Sequence, residues 1–325
     1  MPLTLVAPLN WGLGHATRCI PLIRQELSKG NEVLIAADGL ALELLCSEFP
    51  GIATAKLPDI RINYSRFLPF FVNLSFQLPG ILKHIGTEHR QLDALVSSYK
   101  PDMIISDNRY GLWHPKKKSI LITHQVFPIA PPPVQFGLHW QLKRFMSRFH
   151  EVWIPDYPGE INLSGALSHS ASMAKNIRFI GPLSRFSRCE TPATDSTSRT
   201  YELVGVVSGP EPHRSLLLRE LTEVFTASEK TSLILGGMPG KDDCKTIGKL
   251  TQVAHMDSSS LEKVLCQAGA LFVRSGYSTI MDLHALGKSA TVIPTPGQTE
   301  QEYLATLHSG SGWLRRTNQG RITLQ

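Results

Sequence analysis

Cysteine is scarce in this 325-residue chain and carries no pattern: Cys19, Cys46, Cys189, Cys244 and Cys266 are odd in number and widely spaced. With no Cys-x-x-Cys and no paired His/Cys spacing, the sequence indicates neither a zinc site nor a disulfide framework, and a reduced, cytoplasmic setting is expected. No apolar run is long enough to span a bilayer. The opening Met1-Pro2-Leu3-Thr4 lacks a basic n-region and a cleavage site. Charge is thin as well, at 18% of residues with a net +6. The one short basic run, Lys116-Lys117-Lys118, reads as a solvated loop, so no nucleic-acid partner is expected. The positive balance favours anionic ligands or an anionic membrane surface.

What is abundant is apolar: 42% hydrophobic residues over 325 positions suit a well-buried globular protein with two cores. Leu3 to Leu9 is a short apolar run, followed by Gly12-Leu13-Gly14-His15-Ala16-Thr17-Arg18, a helical pattern through Leu27, and a second strand from Glu32 to Ala37. Strand, glycine loop, helix and strand form the opening βαβ unit of a doubly wound fold. Gly-x-Gly alone is a weak signal, because Thr17 stands where a dinucleotide loop has its third glycine, and Asp38 keeps that reading open. His15 is either a helix-terminal residue satisfied by backbone or a neutral imidazole in a crevice-lining loop, suited to act as a general base. The runs Pro101 to Arg109 and Ser119 to Gln125, each a buried strand ending in a polar loop, put Asp107 and His124 at the same sheet edge as His15. Asp107 reads equally as a loop-satisfying carboxylate or as the group that orients the histidine.

Between Asp59 and Gln91, Phe67, Phe70, Phe71, Leu74, Phe76, Leu78 and Leu82 alternate with Arg61, Arg66, Lys83 and Arg90. Core-packing helices explain the segment; an exposed apolar and basic surface at 67–83, touching a membrane or an amphiphile, is the alternative. Residues 187–200 are polar and aperiodic, and the linker is placed there, between domains at 1–186 and 201–325. The second domain repeats the opening: strand Leu203 to Val207, loop Ser208-Gly209-Pro210-Glu211-Pro212-His213-Arg214, then a helix. A helix from Leu261 to Ala268 is expected to be capped by Ser258-Ser259-Ser260. Then comes strand Ala270 to Val273, Arg274-Ser275-Gly276, a helix bearing Asp282, strand Thr291 to Ile293, and a polar loop leading to Gln301 and Glu302. A helix that starts after Ser275-Gly276 points its positive end at the strand edge, where an anion is the natural occupant.

Arg274-Ser275-Gly276, Asp282, Ala285-Leu286-Gly287, Pro294, Pro296 and Gln301, together with Gly12-x-Gly14-His15 and Arg18, resemble the two-domain GT-B glycosyltransferases. The match is to the peptidoglycan N-acetylglucosaminyltransferase-like branch, and to its Gly-x-Gly-His-x-x-Arg subgroup. The resemblance implies two Rossmann-like domains facing across a cleft, an acceptor-binding N-terminal domain and a nucleotide-sugar-binding C-terminal one. It implies an inverting, metal-independent hexosyltransferase with UDP-sugar as co-substrate, no bound cofactor and no metal. Asp282 would bind the ribose hydroxyls; Ser208, Gly209, Ser275 and Gly276 the diphosphate, with Arg214 and Arg274 supplying charge; Met256 would pack near uracil, and Gln301 and Glu302 would read a HexNAc sugar. His15 would deprotonate the acceptor with Asp107 as partner, and Gly12, Gly14, Arg18 and His124 would lie on the acceptor side. The expected acceptor is a hydroxyl of a cell-envelope, lipid-linked or polysaccharide molecule; the lipid part, and peripheral contact at the inner face of the membrane, rest on the 67–83 segment alone. The ribose acid is Asp where Glu is commoner, Glu302 stands where Gln is frequent, and the family's long crossing helices are missing before Gln325. Two alternatives remain open: a nucleotide-sugar epimerase or hydrolase of the same fold, and a non-catalytic nucleotide-binding protein. A nicotinamide dehydrogenase would need Asp38 as its ribose acid.

Overall fold

A computed structural model describes residues 1–58, 70–130, 132–169, 174–189, 200–241 and 243–324, with the side chains of 70–76, 132 and 133 outside that description. The chain divides into two units, Met1–Trp11 with His15–Leu183, and Gly12–Gly14 with Ser184–Gln325. Residues 190–199, most of the expected linker, lie outside the described residues, as do 59–69 of the apolar and basic segment.

The first unit runs β1 (Leu3–Pro8), α1 (Leu13–Ser28), β2 (Glu32–Ala37), α2 (Gly39–Glu48), β3 (Ala53–Lys56), α3 (Phe70–Tyr99), β4 (Met103–Asp107), β5 (Lys118–Ile122), α4 (Pro132–Met146), β6 (Glu151–Ile154) and β7 (Ile177–Phe179). Its strands line up as β3-β2-β1-β4-β5-β6-β7, all parallel. Near-continuous apolar strands such as Leu34–Ala37 and Ile104–Ile105 are what a parallel sheet covered on both faces demands. Leu5, Ala7, Leu34, Ile104 and Leu112 share one buried cluster with Leu92 of α3; Leu121, Val152 and Ile154 share another with Met146 of α4. Strand order reverses between β1 and β4, which pair with Pro8 beside Asp107. That reversal is the topological switch point, where open α/β sheets bind their ligands.

The second unit runs β8 (Leu203–Val206), α5 (His213–Ala227), β9 (Ser232–Leu235), β10 (Cys244–Ile247), β11 (Leu250–Val253), α6 (Ser258–Gln267), β12 (Ala270–Val273), α7 (Tyr277–Leu286), β13 (Thr291–Val292), α8 (Thr299–Gly310) and β14 (Arg315–Arg316). The order is β10-β11-β9-β8-β12-β13-β14, with β10 alone antiparallel among the described strands. Phe225 of α5 meets Phe272 of β12 edge to face at 5.3 Å in the core, a contact whose removal by Phe225→Ala costs about 3–5 kcal/mol. Here the switch point lies between β8 and β12. Helix α7 stops where Gly287 takes φ +70, the left-handed ending that glycine adopts without steric cost.

Two expectations are corrected. The cap of α6 is Asp257, whose carboxylate accepts from Ser260 N at 2.9 Å; the serines after it lie inside the first turn. Cys189 and Cys266 form a disulfide across 77 positions, so the absence of a cysteine pattern did not mean the absence of a crosslink. Among the described residues, no helix is long and apolar enough to cross a membrane.

Candidate functional site

The first unit brings four of the expected residues together at its switch point. His15 and Arg18 are one turn apart on α1, Asp107 ends β4, and His124 follows β5. His15 Nδ1 lies 2.6 Å from Asp107 Oδ1. Arg18 donates from Nε to Asp107 Oδ2 and from Nη2 to Oδ1. Its Nη1 lies 3.2 Å from His124 Nδ1, and its Nη2 lies 2.9 Å from His15 Nδ1. Asp107 is fully buried and Arg18 nearly so, while His15 keeps 13% of its side chain exposed. Burial pushes the Asp107 carboxyl upward, but Arg18 and then His15 outweigh it and hold the group down at about 2. Two partners meet His15 Nδ1, the ionised Asp107, which only accepts, and Arg18 Nη2, which only donates. With Nη2 donating to Asp107 Oδ1, a hydrogen on His15 Nδ1 goes to the carboxylate and leaves Nε2 as the basic atom. The arrangement can take a proton from an acidic O–H and stabilise the imidazolium that results. The Asp107 carboxylate is thus held by His15 and Arg18, the arrangement an orienting group requires.

The second unit supplies two loops at its own switch point. After β8, Gly209 takes φ +104, a left-handed conformation that glycine allows without steric cost. After β12, Gly276 opens α7 with no side-chain cap, so the positive end of the helix is offered to an acceptor. Asp282 sits in the second turn of α7, where Ser184 Oγ donates to its Oδ1 at 2.6 Å. Burial raises its carboxyl to about 6, against the lowering effects of Arg185 and Ser184. Met256 is half-buried in the loop between β11 and α6.

Other expected contacts turn inward. Arg274 is buried and donates to the carbonyls of Ile293 (3.1 Å), Pro294 (3.2 Å) and His213 (2.8 Å) and to Gln319 Oε1 (2.8 Å). Burial lowers its pKa to about 10, and it braces the strand ends. Ser275 Oγ donates to Gln301 O at 2.8 Å, and the Gln301 side chain accepts from Thr295 N at 2.9 Å while donating to Gln298 at 2.6 Å. Gln301 thus ties the loop instead of extending from it. Glu302 accepts from Gly297 N at 3.1 Å. Arg214 pairs with Glu211 (Nε at 3.0 Å) and donates to Gly236 O at 3.1 Å. Asp38 caps α2 by accepting from Gly39 N at 2.9 Å, a structural use that leaves the dinucleotide reading without its ribose acid.

Sequence reasoning missed Ser184 and Arg185, which lie in the segment that opens the second unit and belong to no motif. It also missed Tyr110 and Cys19, which pack against the Asp107 cluster; burial pushes Tyr110 to about 12 and Cys19 well above its usual range.

A further surface lies on α3 and α4. Phe136 is 82% exposed and Trp140 57%, with Leu78 and Leu82 also exposed. Beside them, a recess of about 310 Å³ is lined by Leu82, Ile85, Trp113, Phe145, Arg144 and Arg148. Arg148 lies over the Trp113 ring at 5.4 Å and Arg144 over Trp140 at 5.7 Å.

Two parallel α/β units of this kind are the GT-B fold of glycosyltransferases. No family model matches the chain. It is 23% identical over 324 residues to an uncharacterized glycosyltransferase of Methanosarcina acetivorans, covering 94% of this chain and 81% of the relative. Among solved structures it resembles the kitacinnamycin glycosyltransferase, with a TM-score of 0.61 and 18% identity over 99% of this chain and 88% of that one. It is similar to LpCGTa in complex with UDP, with a TM-score of 0.59 and 16% identity over 100% of this chain and 88% of that one. It is also similar to Acinetobacter baumannii MurG, with a TM-score of 0.55 and 14% identity over 99% of this chain and 87% of that one. The sequence relative and the structural neighbours are thus glycosyltransferases.

Proposed function

We propose that the protein is an inverting glycosyltransferase that moves a HexNAc-type sugar from UDP to a hydroxyl of a lipid-linked or cell-envelope acceptor, without a metal ion. The observation that carries this reading is the His15–Asp107 pair at 2.6 Å at the first switch point. In the reaction, His15 Nε2 takes the acceptor O–H proton as the acceptor oxygen bonds to the anomeric carbon. The bond from that carbon to the diphosphate oxygen breaks with its electron pair, and UDP leaves. Asp107 then faces the imidazolium it has oriented, a role for which its ionised state is required. Backbone N–H groups of the Ser208-Gly209 loop and the first turn of α7 are suited to the diphosphate, and Asp282 to the ribose hydroxyls. Arg274 and Gln301 shape this site through the loop contacts described above and are not assigned to the ligand. Uracil is assigned to Met256, and Glu302 to the sugar.

A lipid acceptor is supported by the α3 and α4 surface, where Phe136 and Trp140 are exposed, Arg144 lies over the Trp140 ring, and Lys143 shares the last turn of α4. Aromatic and cationic side chains in this mixture favour the interface of an anionic bilayer. This face includes the far end of the expected 67–83 segment and adds α4 to it.

The reading is tested by calorimetric titration with UDP, beside GDP and NAD, on the wild type and Asp282→Ala, followed by UDP release from UDP-N-acetylhexosamine with and without acceptors. UDP binding lost in Asp282→Ala, with release that depends on acceptor, is the expected result. Turnover equal in the absence of acceptor would replace transfer with hydrolysis or epimerisation. Binding with no turnover under any acceptor would leave a nucleotide-binding protein.

A further inference from the structure

We propose that Arg18 is a positioning residue for the base: its two-pronged hold on Asp107 and its contact with His124 fix the carboxylate against His15 Nδ1 and divide its charge, so that the carboxylate orients the base without drawing a proton onto it. This inference rests on the reading of His15 as the base, and it assigns a role to the buried arginine that the proton transfer itself does not use.

The geometry carries it. A guanidinium on both oxygens of a buried carboxylate is the strong, planar form of the pair. Arg18 forms it from inside α1, one turn after His15 on the same helix. Without the arginine, the fully buried Asp107 has two ways to shed its isolated charge. It can take a proton, and then it no longer accepts from His15. Or it can draw a proton onto His15, and then the base is consumed before substrate arrives. With the arginine, His15 faces an ion pair of zero net charge. The other groups around the carboxylate add no charge of their own: Tyr110 and Cys19 are pushed upward by burial and stay protonated at neutral pH. His124 meets Arg18 Nη1 at 3.2 Å, and its own carbonyl accepts from Ser168 Oγ at 2.5 Å. Arg18, Asp107 and His124 thus form a rigid backing in which His15 is the member with solvent contact.

The test is the pH dependence of kcat/KM, paired with ¹⁵N NMR titration of the histidine ring in the unliganded protein, for wild type, Arg18→Met and Arg18→Lys. Arg18→Met is expected to move the acid limb of the rate profile and the His15 titration upward together by about one pH unit or more. Activity at neutral pH then falls roughly tenfold or more and returns at higher pH. Arg18→Lys keeps the charge but loses the fork, and an intermediate shift is expected. Loss of rate by the same factor at every pH, with an unmoved His15 titration, overturns the proposal and leaves Arg18 a purely structural residue. A Lys variant that titrates as wild type overturns the requirement for both oxygens. If Arg18→Met does not fold, Arg18→Met/Asp107→Asn removes the buried charge along with its partner; a His15 titration unmoved from wild type there supports the proposal, and one displaced from wild type overturns it. Because the NMR readout needs no turnover, a moved titration in a protein with no transferase activity would retain Arg18's role and sink only the reading of His15 as a catalytic base.

Discussion

Replacing Asp282 by asparagine should make the protein more stable and less able to bind nucleotide. Asp282 is packed on α7 with Ser184 Oγ on its Oδ1 at 2.6 Å, and an amide oxygen in the same place keeps that hydrogen bond. What the substitution removes is the charge. Burial has raised the carboxyl from 3.8 to about 6, so ionising it in the folded protein costs more than in the unfolded chain. A rise from 3.8 to about 6 corresponds to about 3 kcal/mol at most. Asp282 retains some contact with solvent, and discounting for that leaves about 1–2 kcal/mol. The sign follows from linkage: a raised carboxyl contributes stability that is fully present below about 3.8 and is lost as pH rises through about 6. Wild type and Asp282→Asn should therefore melt alike near pH 4, and above pH 7 the variant should melt higher by about 2–8 °C. Scanning fluorimetry or calorimetry across pH 4–8 reads this directly. In the same experiment UDP should raise the wild-type midpoint, increasingly as pH passes through about 6, and leave the variant unmoved. A variant less stable than wild type at pH 7.5, or a difference that does not change with pH, would refute the reasoning.

Three other outcomes are expected. His15→Ala should lower the transfer rate by about 10²–10⁴ while leaving UDP affinity within twofold; a matching loss of UDP affinity in calorimetry would place His15 in binding instead. Opening the Cys189–Cys266 disulfide, which spans 77 positions, should cost about 4–5 kcal/mol if it acts by restricting the unfolded chain. Urea melts of the oxidised protein against Cys189→Ser/Cys266→Ser measure this, and coincident melts would show that the bond contributes nothing. Phe136→Glu/Trp140→Glu should reduce sedimentation with phosphatidylglycerol vesicles at least tenfold, with thermal stability held because both side chains are exposed. Retention of vesicle binding would remove the membrane from the account.

The backbone plan was legible because its cause is local. Apolar β-branched runs interrupted by glycine loops already mark β1, β2, β8 and β12, and strand edges in a doubly wound sheet converge by topology alone, which is why His15, Asp107 and His124 could be expected on one edge. What the sequence could not show is which way a polar side chain turns. Arg274 and Gln301 occupy motif positions suited to a ligand, yet both are consumed by backbone partners within the same unit; an arginine that braces carbonyls and one that meets phosphate are the same letter. The disulfide is hidden for a related reason, since pairing across 77 positions is decided by where the segment after Ser184 lies against α6 and not by any spacing. Helix α4 is the most instructive case. Val134, Phe136, Leu138, Trp140 and Leu142 alternate at every second position, the period of a strand, yet they form a helix. An alternation wound at 3.6 residues per turn scatters apolar groups around the whole circumference. Leu142, Phe145 and Met146 then pack inward while Phe136 and Trp140 remain in solvent. A helix that is apolar on the side its own core does not cover needs a second apolar environment. Arg144 lies over the exposed Trp140 ring at 5.7 Å, and this pairing of an exposed aromatic with a cation is what the proposed contact with an anionic lipid surface would use.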